Sequence, residues 1–69
     1  MELSARNQLP ATVEAVAFGG IMAEVVLELD GGQELVAAIT RGSAERLGLE
    51  PGQAVFAVVK ATEVMIGRA

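Results

Sequence analysis

Sixty-nine residues limit this chain to one domain, and the absence of cysteine and histidine excludes a disulfide framework, thiolate metal sites and the usual zinc ligand sets. A net charge of −4 argues against phosphate-backbone binding, and two Phe with no Trp or Tyr leave almost no platform for stacking bases. The hydrophobic fraction of 52% exceeds what so small a core can bury, so a homo-oligomer is the expected way to cover the excess.

In chain order, the N-terminus carries "SARNQL", residues 4–9, a donor-rich stretch in a chain otherwise made mostly of Ala, Val, Leu and Glu. Segment 11–18, ATVEAVAF, reads as a strand that ends at the turn signal Gly19-Gly20. Segment 21–30 alternates: Ile21, Ala23, Val25, Leu27 and Leu29 form one face, and Met22, Glu24, Val26, Glu28 and Asp30 the other. That is the period of a half-buried strand. Asp30-Gly31-Gly32 supplies a hairpin turn, and 33–40, QELVAAIT, returns.

Thr40 and Ser43 are helix-start residues, and Gly48 is a left-handed stop, which predicts one helix of about two turns. On it Ala44 and Leu47 share a face, while Glu45 and Arg46 face water. Pro51-Gly52 turns the chain into a strand over 54–60, AVFAVVK, and 61–67 continues as strand or adds another. Val55, Ala57 and Val59 alternate with Phe56 and Val58, so this strand is apolar on both faces, as expected between subunits. Short strands joined by tight turns, with one helix, predict an all-β fold: a small five-stranded OB-like β-barrel plugged by the helix, oligomeric, with residues 1–69 as a single domain. No apolar run approaches the roughly 18 residues that span a bilayer, and Met1-Glu2-Leu3 is not the basic start of a signal peptide. A cytoplasmic protein without a membrane or nucleic-acid partner is expected.

The polar groups that stand out are Ser4, Arg6, Asn7 and Gln8 at the N-terminus, Thr40 and Ser43 at the strand-to-helix junction, and Lys60 at a strand end. Hydroxyls, backbone N–H groups and one or two cations are the inventory of an anion site, and these stretches lack carboxylates. Spacing leaves plainer readings open beside this one. Thr40 and Ser43 serve equally well as helix caps, Arg6 and Lys60 as surface charges, and Asn7 as a turn residue. Catalysis is not expected, because there is no His or Cys to act as nucleophile or base, no paired carboxylates on these motifs, and no base to activate Ser43.

Together "LSARNQLPATV", "ITRGSAERLGLEPGQAV" and "VVKATEVMIG" resemble the molbindins, stand-alone molybdate-binding proteins built from the Mop domain, of the TOBE/OB-like group. The resemblance covers nearly the whole chain. It implies an OB-like barrel assembled as a homohexamer, a trimer of dimers, with oxyanions held between subunits. Ser4, the Ala5 backbone and Arg6 would come from one subunit, and Thr40, Ser43, Lys60 and the Ala61 backbone from its neighbour. A second class of site near the threefold axis would involve Asn7, Gly20, Ile21 and Met22, where the alternative is a plain turn with packing. Glu14, Glu24, Glu28 and Glu34 would keep the assembly soluble.

The implied function is cytoplasmic binding and storage of molybdate, with tungstate indistinguishable, no cofactor, and sulfate excluded by cavity size. Three rivals stand beside it. The first is a structural or regulatory oligomerisation module without ligand. The second is a DNA-binding swapped-hairpin regulator, which "RLGLEPGQAV" resembles but the sparse basic residues oppose. The third is a pterin or molybdenum-cofactor binder, for which only Phe18 and Phe56 offer stacking surface.

Overall fold

The computed structural model describes residues 1–69. Four strands and two short helical segments follow one another: β1 (Asn7–Phe18), β2 (Met22–Leu29), β3 (Glu34–Thr40), α1 (Arg41–Leu47), β4 (Ala54–Val59) and a 3-10 turn (Ala61–Glu63). The strands form one antiparallel sheet in the order β3-β2-β1-β4. The alternation read in 21–30 is realised as β2, with Ala23, Val25 and Leu27 buried. Ile21 falls outside the strand, in the β1–β2 turn, and is 80% exposed.

β1 starts at Asn7, earlier than the apolar pattern at 11 predicts, because its first half finds a partner far along the chain. Residues 7–12 pair with β4, and residues 11–18 pair with β2. Pro10, which lacks an N–H, sits where β1 has a neighbour on one side only: it is opposite Phe56, and the β2 ladder begins at Ala11. A bulge at Glu14, between Val13 and Ala15, adds a bend to the same strand. The core collects on the inner side of the curl, from Ala11, Val13, Val25, Leu27 and Ala57.

Thr40 Oγ1 accepts from the Ser43 N–H at 3.1 Å and so caps α1. Gly48 closes the helix in the left-handed conformation, φ 61°, with its N–H on Glu45 O and the Leu49 N–H on Ala44 O. Ala44 is buried, but Leu47 does not share its environment. Leu47 is 62% exposed and lines the open groove described next.

A single chain holds four strands, not five. After Val59 the Glu63 N–H bonds Lys60 O at 2.9 Å, and this 3-10 turn takes the chain out of the β4 direction. Residues 64–69 pair with no strand, and Met65 and Ile66 are 91% and 90% exposed. The curled sheet therefore stays open between its edges. β3 and β4 line a groove of about 810 Å³ in which 17 of the 18 lining residues are hydrophobic. The chain exposes 5350 Å² at a mass of 7.1 kDa. A well-packed monomer of that mass exposes about 4,100 Å², so the surplus is on the scale that a subunit interface covers. No helix is long and apolar enough to cross a membrane.

The space around Gly48 is open, with nothing within 4 Å of an added Cβ, so Gly48→Ala meets only the backbone cost of the left-handed conformation. Equilibrium urea unfolding of Gly48→Ala is expected to show a loss of about 1 kcal/mol per subunit.

Candidate oxyanion site

The donors noted in the sequence fall into two groups at opposite ends of the twelve-residue β1. The first is the β3–α1 corner. Thr40 ends β3, opposite Met22, and starts α1. Its hydroxyl donates to Ser43 Oγ at 2.8 Å while accepting from the Ser43 N–H. Arg46, one turn further along α1, also reaches this oxygen, with Nη2 at 3.3 Å. Ser43 Oγ thus accepts twice, and its own proton is left to donate. Arg46 makes no ion pair, because the one ion pair of the chain is Arg41 Nε to Glu45 Oε2 at 3.6 Å.

The second group is the end of the β1–β4 ladder. Asn7 opposite Val59 is the last pair, so Arg6 and Lys60 are the next residues outward on the two strands. Both are exposed, and neither has a carboxylate within salt-bridge reach. Ser4 is exposed; Ala5 is half-buried and its carbonyl accepts from Gln8 Nε2 at 2.8 Å. Ala61 opens the 3-10 turn after Lys60. Within one chain, then, Lys60 and Ala61 lie with Arg6 and not with Thr40 and Ser43.

The same geometry separates the second set. Asn7 starts β1, whereas Gly20, Ile21 and Met22 lie at and beyond the turn that follows its far end. One chain does not bring them together. Arg46, read from sequence as a water-facing charge, is exposed but also belongs to the Thr40–Ser43 corner. Its position three residues after Ser43 on a helix is the signal that could have found it.

Carboxylates collect elsewhere. Glu28 stands opposite Glu34 across β2 and β3, and the bulge brings Glu14 of β1 to the same place. Hydrogen bonding to Glu34, then to Glu28, raises the Glu14 pKa from 4.5 to about 7. No group of three or more His, Cys, Asp or Glu is arranged to hold a metal ion. The chemistry on offer is hydrogen-bond donation and positive charge, the groups that an anion site requires.

Residues 3–66 match the TOBE domain. The chain belongs to the TOBE domain family. Molybdenum-pterin-binding protein 3 of Clostridium pasteurianum is 48% identical over 66 residues, which cover 96% of this chain and 97% of that protein. Among solved structures, the molybdate-binding protein from Sporomusa ovata superposes with a TM-score of 0.92 at 47% identity, covering 99% of this chain and all of the other. The cytoplasmic molybdate-binding protein ModG, solved with molybdate bound, gives a TM-score of 0.84 at 44% identity over 88% of this chain and 43% of its own. The curled sheet with one short helix is thus the OB-like architecture of this TOBE group.

The raised Glu14 pKa has a definite sign in stability. The folded chain holds this proton more tightly than the unfolded chain, whose Glu14 titrates near 4.5. The stabilising contribution is complete below about 4.5 and is lost as pH rises to about 7. Glu14→Gln removes the ionisation, so unfolding midpoints measured across that range are expected to fall less steeply than in the parent chain. Identical slopes for the two would refute the assignment.

Proposed function

We propose that this protein binds molybdate, with tungstate as an equivalent ligand, and stores it in the cytoplasm at sites completed between subunits of a homo-oligomer. The observation that carries the reading is the split donor set. One end of the fold presents Thr40, Ser43 and Arg46; the other presents Ser4, the Ala5 backbone, Arg6, Lys60 and the Ala61 backbone. Each is half of an oxyanion cradle. The corner of one subunit facing the β1–β4 end of another makes a whole one. Each charge-assisted hydrogen bond contributes about 1.5–3 kcal/mol. A micromolar complex needs about 8 kcal/mol, which a handful of such bonds supplies.

The molybdate-binding relatives in the same family support the choice of anion. The reading is of a binding protein without catalysis. Sulfate carries the same charge in a smaller tetrahedron, so selectivity rests on the size of the cradle. The names of some relatives include a pterin, but of the two rings that could stack on one, Phe18 already lies under Arg41, 5.3 Å from its guanidinium carbon. The oxyanion reading is favoured for that reason. Asn7 of one subunit with Gly20, Ile21 and Met22 of others is the arrangement a second oxyanion site near a threefold axis would need.

Self-association is supported by the open β3–β4 groove, the surplus exposed area and the apolar 64–66 segment. We take the oligomer to be a hexamer, a trimer of dimers, as in the molbindins that the sequence resembles.

Isothermal titration with molybdate, with sulfate as control, is expected to give saturable heat for molybdate alone. Arg6→Ala and Lys60→Ala should each lose most of that binding, and Arg46→Ala should weaken it. Thr40→Asp separates capping from binding, since aspartate caps a helix as well as threonine does but repels an anion. It should melt like the parent and bind no molybdate. Unchanged affinity in both Arg6→Ala and Lys60→Ala would sink the site.

Sedimentation of the intact chain is expected to give a single hexameric species. Removal of residues 64–69 should shift it to smaller species, and a monomeric intact chain would overturn the intersubunit site.

A further inference from the structure

Arg41 occupies a place that neither its helix nor its charge requires. It follows Thr40 directly, and its backbone N–H donates to Ile21 O at 2.7 Å, extending the β2–β3 ladder one step past the Met22–Thr40 pair. Its guanidinium then crosses to the β1–β2 turn. Nη1 donates to Gly19 O at 3.1 Å, and the guanidinium carbon lies 5.3 Å from the centre of the Phe18 ring. Nε faces Glu45 Oε2 at 3.6 Å. The turn it grips is itself tight. The Gly19 N–H bonds Met22 O at 2.7 Å, and a Cβ on Gly19 would meet that same oxygen at 3.1 Å.

We propose that Arg41 is a positioning residue for the oxyanion cradle: it pins the Thr40–Ser43 corner to the Gly19–Ile21 turn and neutralises Glu45, without touching the anion itself. This rests on the oxyanion reading above and adds a residue to it. Two observations separate Arg41 from Arg46. Arg46 has no acidic partner and lies on Ser43 Oγ, where an anion would meet it. Arg41 has its charge set against a carboxylate and its donors turned to a carbonyl and a ring.

Both of its tasks serve the same corner. Glu45 is two residues from Ser43 on the seven-residue α1, and an unpaired carboxylate on so short a helix would add a negative charge opposing a dianion at its start. Thr40 and Ser43 hold their donor geometry only if the end of β3 is fixed, and the clip to Gly19 and Ile21 fixes it.

The test uses the full-length protein as Arg41→Ala, Arg41→Lys, Glu45→Gln and the Arg41→Ala/Glu45→Gln double variant. Molybdate titration is the first readout, and hydrogen–deuterium exchange of the anion-free protein over residues 17–24 is the second. Arg41→Ala is expected to weaken molybdate by about tenfold, the scale of losing a group that orients a ligand-contacting one. Its stoichiometry should be unchanged, and exchange should quicken in the turn but not in the β1–β4 ladder. Arg41→Lys, which keeps the charge, should recover part of the affinity. Glu45→Gln should bind at least as well as the parent, and the double variant should bind better than Arg41→Ala alone.

Parent-like affinity in Arg41→Ala overturns the proposal, as does unaltered exchange in the turn. If the parent chain itself takes up no molybdate, the oxyanion reading fails. The exchange result then still decides whether Arg41 clips the corner to the turn.

Discussion

The offset between the two ladders of β1 is the constraint on which the rest of the structure depends. One strand pairs with β4 through its first half and with β2 through its second, sharing only Ala11 and Thr12 between the two. A sheet built this way cannot lie flat, and the bulge at Glu14 bends it further. The curl turns β3 and β4 toward each other and encloses the small Ala11–Val13–Val25–Leu27–Ala57 core. It also leaves these edges apart, with an apolar groove in place of a fifth strand. The same offset sets Arg6 and Lys60 at one end of β1 and the Thr40 corner beyond the other. The open groove and the divided donor set therefore have one cause.

The proposed anion cradle is compatible with an acidic chain because the charges are sorted in space. Glu14, Glu28 and Glu34 crowd together on the sheet, which raises the Glu14 pKa to about 7, while Arg6, Lys60 and Arg46 have no acidic partner. Like charges opposite one another on neighbouring strands are destabilising. The fold tolerates that crowding on β1–β3, and the donor groups stay clear of it. The acidic residue closest to the corner along α1, Glu45, is the one paired with Arg41.

Thr40 joins stability to the proposed function. Its hydroxyl oxygen caps a seven-residue helix that has no acidic residue in its first turn, and the same hydroxyl belongs to the proposed cradle. A helix so short depends on its caps, Thr40 at one end and Gly48 at the other. The caps and the Thr40–Ser43 hydrogen bonds form the corner without a ligand, which would lower the ordering cost of the proposed binding.

The sequence by itself determined the elements whose signals are local. Alternation over 21–30 set β2 and its buried face, Asp30-Gly31-Gly32 set the hairpin, and Thr40 and Gly48 bounded α1 to within a residue. The motifs also placed the chain in its family before any coordinates. Tertiary structure decided whatever depends on pairing across a long stretch of chain. Asn7 to Pro10 became strand because β4 lies beside them. Residues 61–67 left the sheet because a 3-10 turn redirected them, and Leu47 faces a groove that exists only once β3 and β4 curl together. For the candidate site, the sequence offers the residue types, and only the structure shows how one chain groups them: Lys60 lies with Arg6, Arg46 with Ser43, and Asn7 apart from Gly20. Period and capping are short-range properties of neighbouring residues, whereas register and edge placement are set by contacts between residues tens of positions apart, which no local pattern records.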